Sequence, residues 1–511
     1  MILAPMVDQS EFAWRMLTRS FMSPESSENL LAYTPMLHAR MFTETPKFRD
    51  HHFQPTRSGL SSPPKAEDPL PDLYLDGHPE IDRPLFVQFC ANSPDELLEA
   101  ARYVEPFCDA VDLNLGCPQG IARKGNYGAF LQEDWDLIYK LINKLHLNLD
   151  VPVTAKMRIL ESKEKTLEYA NMILSAGASL ITVHGRQREQ KGHKTGLADW
   201  SVLRYLRANL PPDVVIFANG NILRHDDIFS CLEETGADGV MSAEGNLYDP
   251  TIFAKPPPIG HEGQEYWRGR DGKGGYRMDA VFRRYMDILY KHVLEKPPPT
   301  RPPLFLPSDP QPDAPPTTAN ESAQNEGDDQ PPAKRQKRDK KSTSPNLLAI
   351  QPHLFHLLRP LITKHIDIRD ALARSRAGDI PAFEHVLQLV ESAVKDGLLD
   401  YDSDPAKYED SSIPDAKEQE ANLDKDESSV ATVKACKRPW WVCQPYVRPL
   451  PKEALENGSL TLSKKDRRML EEERATEKVR CEQGRKSERE ELDERDGMER
   501  GEVVRDGMVA G

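Results

Sequence analysis

The stretch Val151–Gly185, VPVTAKMRILESKEKTLEYANMILSAGASLITVHG, contains a complete strand–helix–strand unit. It opens on VPVTAKM and closes on LITVHG, two short runs that are β-branched and apolar on both faces. That pattern marks parallel strands buried on both sides. Between them, residues 164–176 carry an amphipathic helical pattern. The polar residues of the unit gather in one place. Lys156 and Arg158 end the first strand, and His184 and Arg186 end the second.

The same unit recurs on either side. ILAPM (from Ile2), LLAYTPM (Leu30), LFVQF (Leu85) and AVDLNL (Ala110) precede it, and VVIFANG (Val214) and GVMSAE (Gly239) follow. Helical patterns fall at residues 135–147, 200–210 and 226–235, and another starts at Ser93-Pro94-Asp95-Glu96, a capping-box spacing with Pro at the first helical position. Eight such strands within residues 1–255 predict an α/β fold, a (β/α)8 TIM-type barrel. A doubly wound open sheet is the alternative, but no Gly-x-Gly-x-x-Gly follows the first strand. The Pro- and Ser-rich residues 55–82 read as an inserted surface loop.

Beyond the barrel the pattern changes. Residues 256–296 and 346–400 predict one helical domain, split by a Pro-rich, basic insert at 297–345 that reads as disordered. Residues 401–511 read as a largely disordered charged tail containing an aromatic island at 439–451, PWWVCQPYVRPLP. With 43 prolines among 511 residues and only 38% hydrophobic residues, substantial disorder is expected. The formal net charge of −15 excludes global electrostatic attraction to nucleic acid, so any RNA contact must use a local basic patch. Seven scattered cysteines suggest a reduced compartment, without a zinc site. No apolar run is long enough to span a membrane. The run KRQKRDKK, residues 334–341, reads either as a nuclear localisation signal or as a solvated basic stretch.

In a (β/α)8 barrel the active site lies at the C-terminal ends of the strands. There the sequence places Pro5 and Met6, Gln88, Asn114 with Cys117, Lys156 with Arg158, His184 with Arg186, Asn219-Gly220-Asn221, and Ala243-Glu244. Taken singly, each has a plain reading as a turn residue, a solvated charge or a core histidine. Their coincidence at one rim favours a shared pocket. The loops after the seventh and eighth strands are the usual phosphate site of this barrel, and Asn219, Gly220 and Asn221 with Ala243 and Glu244 suit it. Lys156 and His184, on neighbouring strands, could stabilise the anionic edge of a reduced flavin. Gln88 and Asn114 could bond a planar ring. Together they favour FMN over NAD as the bound cofactor.

The segments APMVDQSEFAWR, YTPMLHARMF, VQFCAN, DLNLGCPQGIARKGNYGAFL, VPVTAKMR, VHGRQREQKG, FANGN and VMSAEGNLYDP resemble the tRNA-dihydrouridine synthases, in particular the eukaryotic (16/17) branch. The resemblance implies that hydride passes from NADPH (or NADH) by way of FMN to C6 of a D-loop uridine in tRNA, giving 5,6-dihydrouridine. It makes Cys117 the acid that protonates C5, a role open to a thiol that keeps its proton at neutral pH. Pro5, Met6 and Val7 become a backbone wall against the flavin, with Gln88, Lys156 and His184 contacting it. Asn114, Arg158 and Arg186 become the substrate contacts. The uridine must leave its stack to reach the flavin. A monomer in the cytoplasm or nucleus is expected, with no metal. The chain departs from the family in opening directly on its first strand, which a truncated gene model or a shortened N-terminus would both explain, and in its long insert and acidic balance. Two rivals remain: a flavin dehydrogenase acting on a free pyrimidine, against which the extra helical domain speaks, and a non-catalytic RNA-binding protein, against which Cys117, Lys156 and His184 speak.

Overall fold

A computed structural model describes residues 1–64, 72–309, 344–409 and 429–456. Its eight barrel strands are β1 (Ile2–Leu3), β2 (Leu31–Tyr33), β3 (Leu85–Cys90), β4 (Ala110–Leu115), β5 (Val153–Arg158), β6 (Leu180–His184), β7 (Val215–Asn219) and β8 (Gly239–Ser242). Each begins within two residues of its predicted start. All pair in parallel, β1 with both β2 and β8, and β2 with β3, so the sheet closes on itself. A two-residue strand at Leu37–His38 adds to the upper end of β3.

Closure buries the strands on both faces. Inside, Ile2, Ala4, Leu31, Tyr33 and Met241 form an apolar plug with Phe86 and Phe217 packed against it. Outside, the opposite faces of the strands pack under a ring of helices. The helices are α1 (Phe12–Ser20), three short ones, α2 (Pro24–Glu28), α3 (Ala39–Glu44) and α4 (Pro46–His52), then α5 (Pro94–Val104), α6 (Gly120–Gly125), α7 (Trp135–His146), α8 (Lys163–Ser175), α9 (Trp200–Asn209), α10 (His225–Thr235) and α11 (Glu244–Tyr248). Their starts follow the sequence. Ser93, Asp134, Ser162 and Asp199 each accept a backbone N–H of the first turn, satisfying donors that a helix start leaves open.

The loop that the sequence marks as surface, residues 55–82, carries a buried end. Asp76 and Asp82 turn inward and bind the fully buried Arg15 guanidinium of α1 at 2.7 and 2.5 Å. Burial opposes that charge, but the two carboxylates outweigh it and hold the guanidinium firmly protonated. Removing one partner from such a cluster typically costs ~3–5 kcal/mol.

After the barrel, an antiparallel hairpin of β9 (Tyr266–Arg268) and β10 (Gly274–Tyr276) leads into α12 (Met278–Ile288). The helical domain predicted from residue 256 therefore opens on a hairpin, and its first helix starts at Met278. α13 (Pro345–Leu357), α14 (Arg359–Lys364), α15 (Ile366–Arg374) and α16 (Ile380–Ser403) complete the helical part. Residues 297–309, assigned to the insert, run along it: Arg301 pairs with Asp287 of α12 and Glu384 of α16. Residues 310–343, with KRQKRDKK, lie outside the described residues.

The helical part is joined to the barrel by buried polar contacts. His353 of α13 stacks on Trp14 of α1 at 3.8 Å and meets the Glu11 carboxylate at 3.0 Å. Trp14 donates its indole N–H to Asn246 of α11 at 2.7 Å. The aromatic island also packs inward. Trp441 is fully buried, its carbonyl accepts the N–H of Met278, and Cys443 donates its N–H to Tyr276. Residues 449–511 form a separate unit, whose described part is the helix Pro451–Glu456.

Candidate active site at the C-terminal rim of the barrel

Strand register assembles the rim. Asn114 of β4 lies opposite Lys156 of β5, Arg158 opposite His184 of β6, and His184 opposite Asn219 of β7. Strand side chains alternate in direction, so Lys156 and Arg158, two apart, share one face.

The turn carrying Cys117 is tethered on every side. Asn114 Oδ1 accepts the N–H groups of Gly116 (3.1 Å) and Cys117 (2.9 Å). Arg158 Nε donates to the Gly116 carbonyl at 2.7 Å, and Lys191 Nζ to the Pro118 carbonyl at 2.6 Å. The Cys117 carbonyl accepts the Ala129 N–H at 3.1 Å. Gly128 leaves room for this turn: its φ is +66°, and a Cβ there would lie 2.8 Å from the Cys117 carbonyl oxygen. The thiol itself is half-buried and packs against the cluster of Cys90, Ala122 and Tyr127.

Beneath the turn lies Asp112, which the sequence reading passed over. Its carboxylate accepts from Thr154 Oγ1 (2.6 Å) and Gln88 Nε2 (2.7 Å), and it is fully buried. An ionised carboxylate only accepts, so the Gln88 amide must turn its NH2 toward it. Gln88 Oε1 then faces Asn114 and accepts its Nδ2 at 2.8 Å. That leaves Asn114 Oδ1 to hold the Cys117 turn. The direction of two amides thus follows from one buried acid. Burial pushes the Asp112 carboxyl up to about 6, against the hydrogen bonds of Thr154 and Gln88 and the charge of Lys156. The signal for it was a lone acid inside the apolar run AVDLNL.

A cationic cluster stands beside the turn. Lys156 Nζ donates to Asn219 Oδ1 at 2.9 Å, and Asn219 Nδ2 donates to the Met241 carbonyl at 2.9 Å. Burial, and then the neighbouring Arg158, push the Lys156 ammonium down to about 8. Burial, with Arg158, Lys156 and Arg186 around it, holds the His184 imidazole well below its ordinary range, so it is neutral at pH 7. Arg186 Nη1 lies 3.3 Å from His184 Nε2, which in the neutral ring accepts from it. Arg186 also donates to the Gly196 carbonyl (2.9 Å) and Asn221 Oδ1 (2.8 Å). Gly220 has φ +117°, and a Cβ on it would come within 2.6 Å of the Ala198 methyl. Asn221 bonds both the N–H and the carbonyl of Ala198 at 2.9 and 3.0 Å, closing the loop around this point.

The remaining predicted residues are placed as follows. Pro5 and Met6 are half-buried at the end of β1, and Met6 N–H donates to Ser10 Oγ at 3.0 Å; the Val7 side chain is 54% exposed. Gln88 is fully buried, with both ends of its amide bonded within the protein. Ala243 precedes α11. The Glu244 carboxylate turns to Arg448, at 2.6 Å. Arg448 was also missed; it lies in the island, with nothing in its local sequence to link it to the rim. Beside the rim, Arg188 is paired with Glu133 and Glu189. Arg123 and Lys124 are exposed on α6, directly after the Cys117 turn.

The donor set fits an anionic, phosphate-bearing group such as FMN. Lys156, Arg158 and Arg186 converge here, and among the described residues no carboxylate is hydrogen-bonded to any of them. Three largely buried cations bound only to neutral oxygens and an imidazole leave a positive field for an anion to answer. No helix of the described residues is long and apolar enough to cross a membrane.

Comparison with known proteins agrees with this chemistry. A profile described as dihydrouridine synthase (Dus) matches residues 2–265. The chain is 41% identical over 451 residues to the tRNA-dihydrouridine(16/17) synthase, NAD(P)(+), of Saccharomyces cerevisiae, covering 88% of this chain and 84% of that one. It is 40% identical over 449 residues to the protein of the same name from Schizosaccharomyces pombe, covering 88% of each. A human tRNA-dihydrouridine(20a/20b) synthase-like protein is 31% identical over 256 residues, 50% of this chain and 70% of that one.

Proposed function

The chain belongs to the dihydrouridine synthase family, and from that premise we propose that it is a tRNA-dihydrouridine(16/17) synthase, reducing uridines of the tRNA D-loop. The long matches to the two yeast enzymes support the choice of branch, since they extend through the helical part whereas the (20a/20b) match covers half the chain. The observation that carries the catalytic reading is the tethered Cys117 turn beside a cationic cluster that, among the described residues, has no hydrogen-bonded carboxylate.

When bound, FMN would supply the hydride for C6 of the uracil, with NADPH or alternatively NADH as the reductant. Lys156, Arg186 and the neutral His184 would hold its anionic parts, Asn219, Gly220 and Asn221 with Ala243 and the Glu244 backbone its phosphate, and Pro5, Met6 and Val7 its face. Cys117 delivers the proton to C5, so that C5 and C6 each gain one hydrogen and the ring ends neutral. Arg158 reaches the turn itself through the Gly116 carbonyl, and Lys156 lies opposite Asn114, so two cations border the turn from which the proton is given. Asn114 and Arg158 hold the turn so that the thiol stays over the substrate, and solvent returns its proton. The reading includes a monomer working in the cytoplasm or nucleus.

The test is mass mapping of dihydrouridine in tRNA from a strain lacking this gene, complemented with wild type or Cys117→Ala. Wild type should restore dihydrouridine at positions 16 and 17. The variant should restore none while purifying with flavin bound. Full restoration by Cys117→Ala would remove the thiol from the mechanism. Restoration only at other positions would reassign the branch.

A further inference from the structure

The functional reading leaves one charged surface unused, at the junction of barrel, helical part and aromatic island. Arg359 of α14 lies 3.6 Å from the centre of the Tyr446 ring, and Arg448 lies 5.9 Å from the same centre. Tyr446 packs on Tyr248 of α11, whose hydroxyl accepts from Arg359 at 3.4 Å. Two guanidinium groups are therefore carried on one aromatic ring. Arg448 and Arg359 are both exposed. Among the described residues, the only acid engaging the pair is Glu244, which takes Arg448 through Nε at 3.1 Å and Nη2 at 2.6 Å. Glu244 lies two residues past the end of β8, so the clip borders the catalytic rim, and Arg448 is near enough to Arg186 to disfavour its charge.

We propose that Arg359, Tyr446 and Arg448 form a clip for the phosphate backbone of the tRNA substrate, with Glu244 acting as a latch that a phosphate displaces from Arg448. This rests on the tRNA-modifying function above. A planar guanidinium binds a phosphate in the same two-point manner as a carboxylate, so one anion can replace the other on Arg448. The ring underneath keeps both guanidinium planes oriented, which reduces the ordering cost of binding. A single latch acid lying so close to the cation must compete with tRNA. That separates the proposal from a purely structural bridge. A bridge that merely pins residues 439–448 weakens in the same way whichever partner is removed. A latch gives opposite effects from its two halves.

The experiment measures binding of full-length, flavin-loaded protein to unmodified tRNA transcript over a range of KCl concentrations, for wild type, R448A, R448K, R359A and E244Q. Flavin absorbance and thermal unfolding of each variant establish its integrity. R448A and R359A should each weaken binding by about 5–20-fold and lower the slope of log K against log salt by about 0.7–0.9, one phosphate contact. R448K, keeping the charge without the fork, should retain the wild-type slope. E244Q should bind about 2–5-fold tighter, the reverse of R448A, since it removes a charge that opposes the phosphate. Equal weakening in R448A and E244Q, or unchanged affinity and slope in R448A and R359A, would overturn the clip while leaving the functional reading intact. Wild-type protein that neither binds tRNA nor forms dihydrouridine would overturn both.

Discussion

Replacing Asp112 with Asn should stabilise this protein at neutral pH and leave its stability unchanged in acid. The carboxyl is fully buried, and its pKa rises from an ordinary 3.8 to about 6 in the fold. The folded state therefore holds a proton that the unfolded chain releases between those values. Stability from this group is complete below pH 4 and is lost as pH rises through 6. The loss comes to about 3 kcal/mol. Asn mimics the protonated acid. Its Oδ1 can accept from Gln88 Nε2, and its Nδ2 can donate to Thr154 Oγ1, whose hydroxyl rotates to receive it. Both contacts survive, and with them the direction of the Gln88 and Asn114 amides. Urea unfolding of wild type and D112N followed from pH 4 to 8 reads this group, because titrations of groups not coupled to Asp112 cancel in the difference, leaving Asp112 and the Lys156 charge it faces. D112N should be more stable by up to about 3 kcal/mol at pH 8, with the gap closing toward pH 4. A gap independent of pH, or a variant less stable than wild type at pH 8, would refute the buried-acid account. The second result would mean that the ionised carboxylate is favoured by Lys156 more than burial disfavours it.

Gly128→Ala should slow dihydrouridine formation by about tenfold or more, because a Cβ 2.8 Å from the Cys117 carbonyl at φ +66° costs ~1–2 kcal/mol and moves the turn; a wild-type rate would show that the turn is not held. The affinity of flavin-free protein for FMN, followed by fluorescence quenching, should fall as pH rises through about 8, where Lys156 loses its charge. Lys156→Met should bind FMN more weakly and without that dependence, and equal pH profiles would count against the lysine's role. Trp441→Ala should lower stability by ~3–5 kcal/mol, since a fully buried indole leaves a large cavity; a change under about 1 kcal/mol in urea unfolding would place the island outside the cooperative core.

The barrel was legible because its signal is local and repeated. Each strand must be apolar on both faces and each helix on one, and the chain cannot hide either pattern. The rim was legible for a related reason: with all strands parallel, every C-terminal end falls on the same side, so the polar residues after VPVTAKM, LITVHG and VVIFANG had to meet. The β9–β10 hairpin was missed within the stretch read as helical domain because its few residues lie beside the strong helical spacing of α12. Residues 297–309 read as disorder from their prolines and polar side chains, yet Arg301 fastens them to α12 and α16 through two ion pairs.

Asp112 was visible as an acid in an apolar strand, but its purpose was not. Its partners Gln88 and Thr154 lie 24 and 42 residues away, and only the register of β3, β4 and β5 sets the three side by side. Arg448 reaches Glu244 across 204 residues of chain, through a segment whose local composition reads as tail. Periodicity and strand-end chemistry, carried by neighbours in the chain, established the barrel, the catalytic rim and its thiol. The orientation of the amides behind that thiol, the burial that shifts Asp112 and Lys156, and the return of the aromatic island to the rim come from contacts between distant segments. Hydrogen bonds and burial depend on distance in space, and that distance exists only once the barrel has closed.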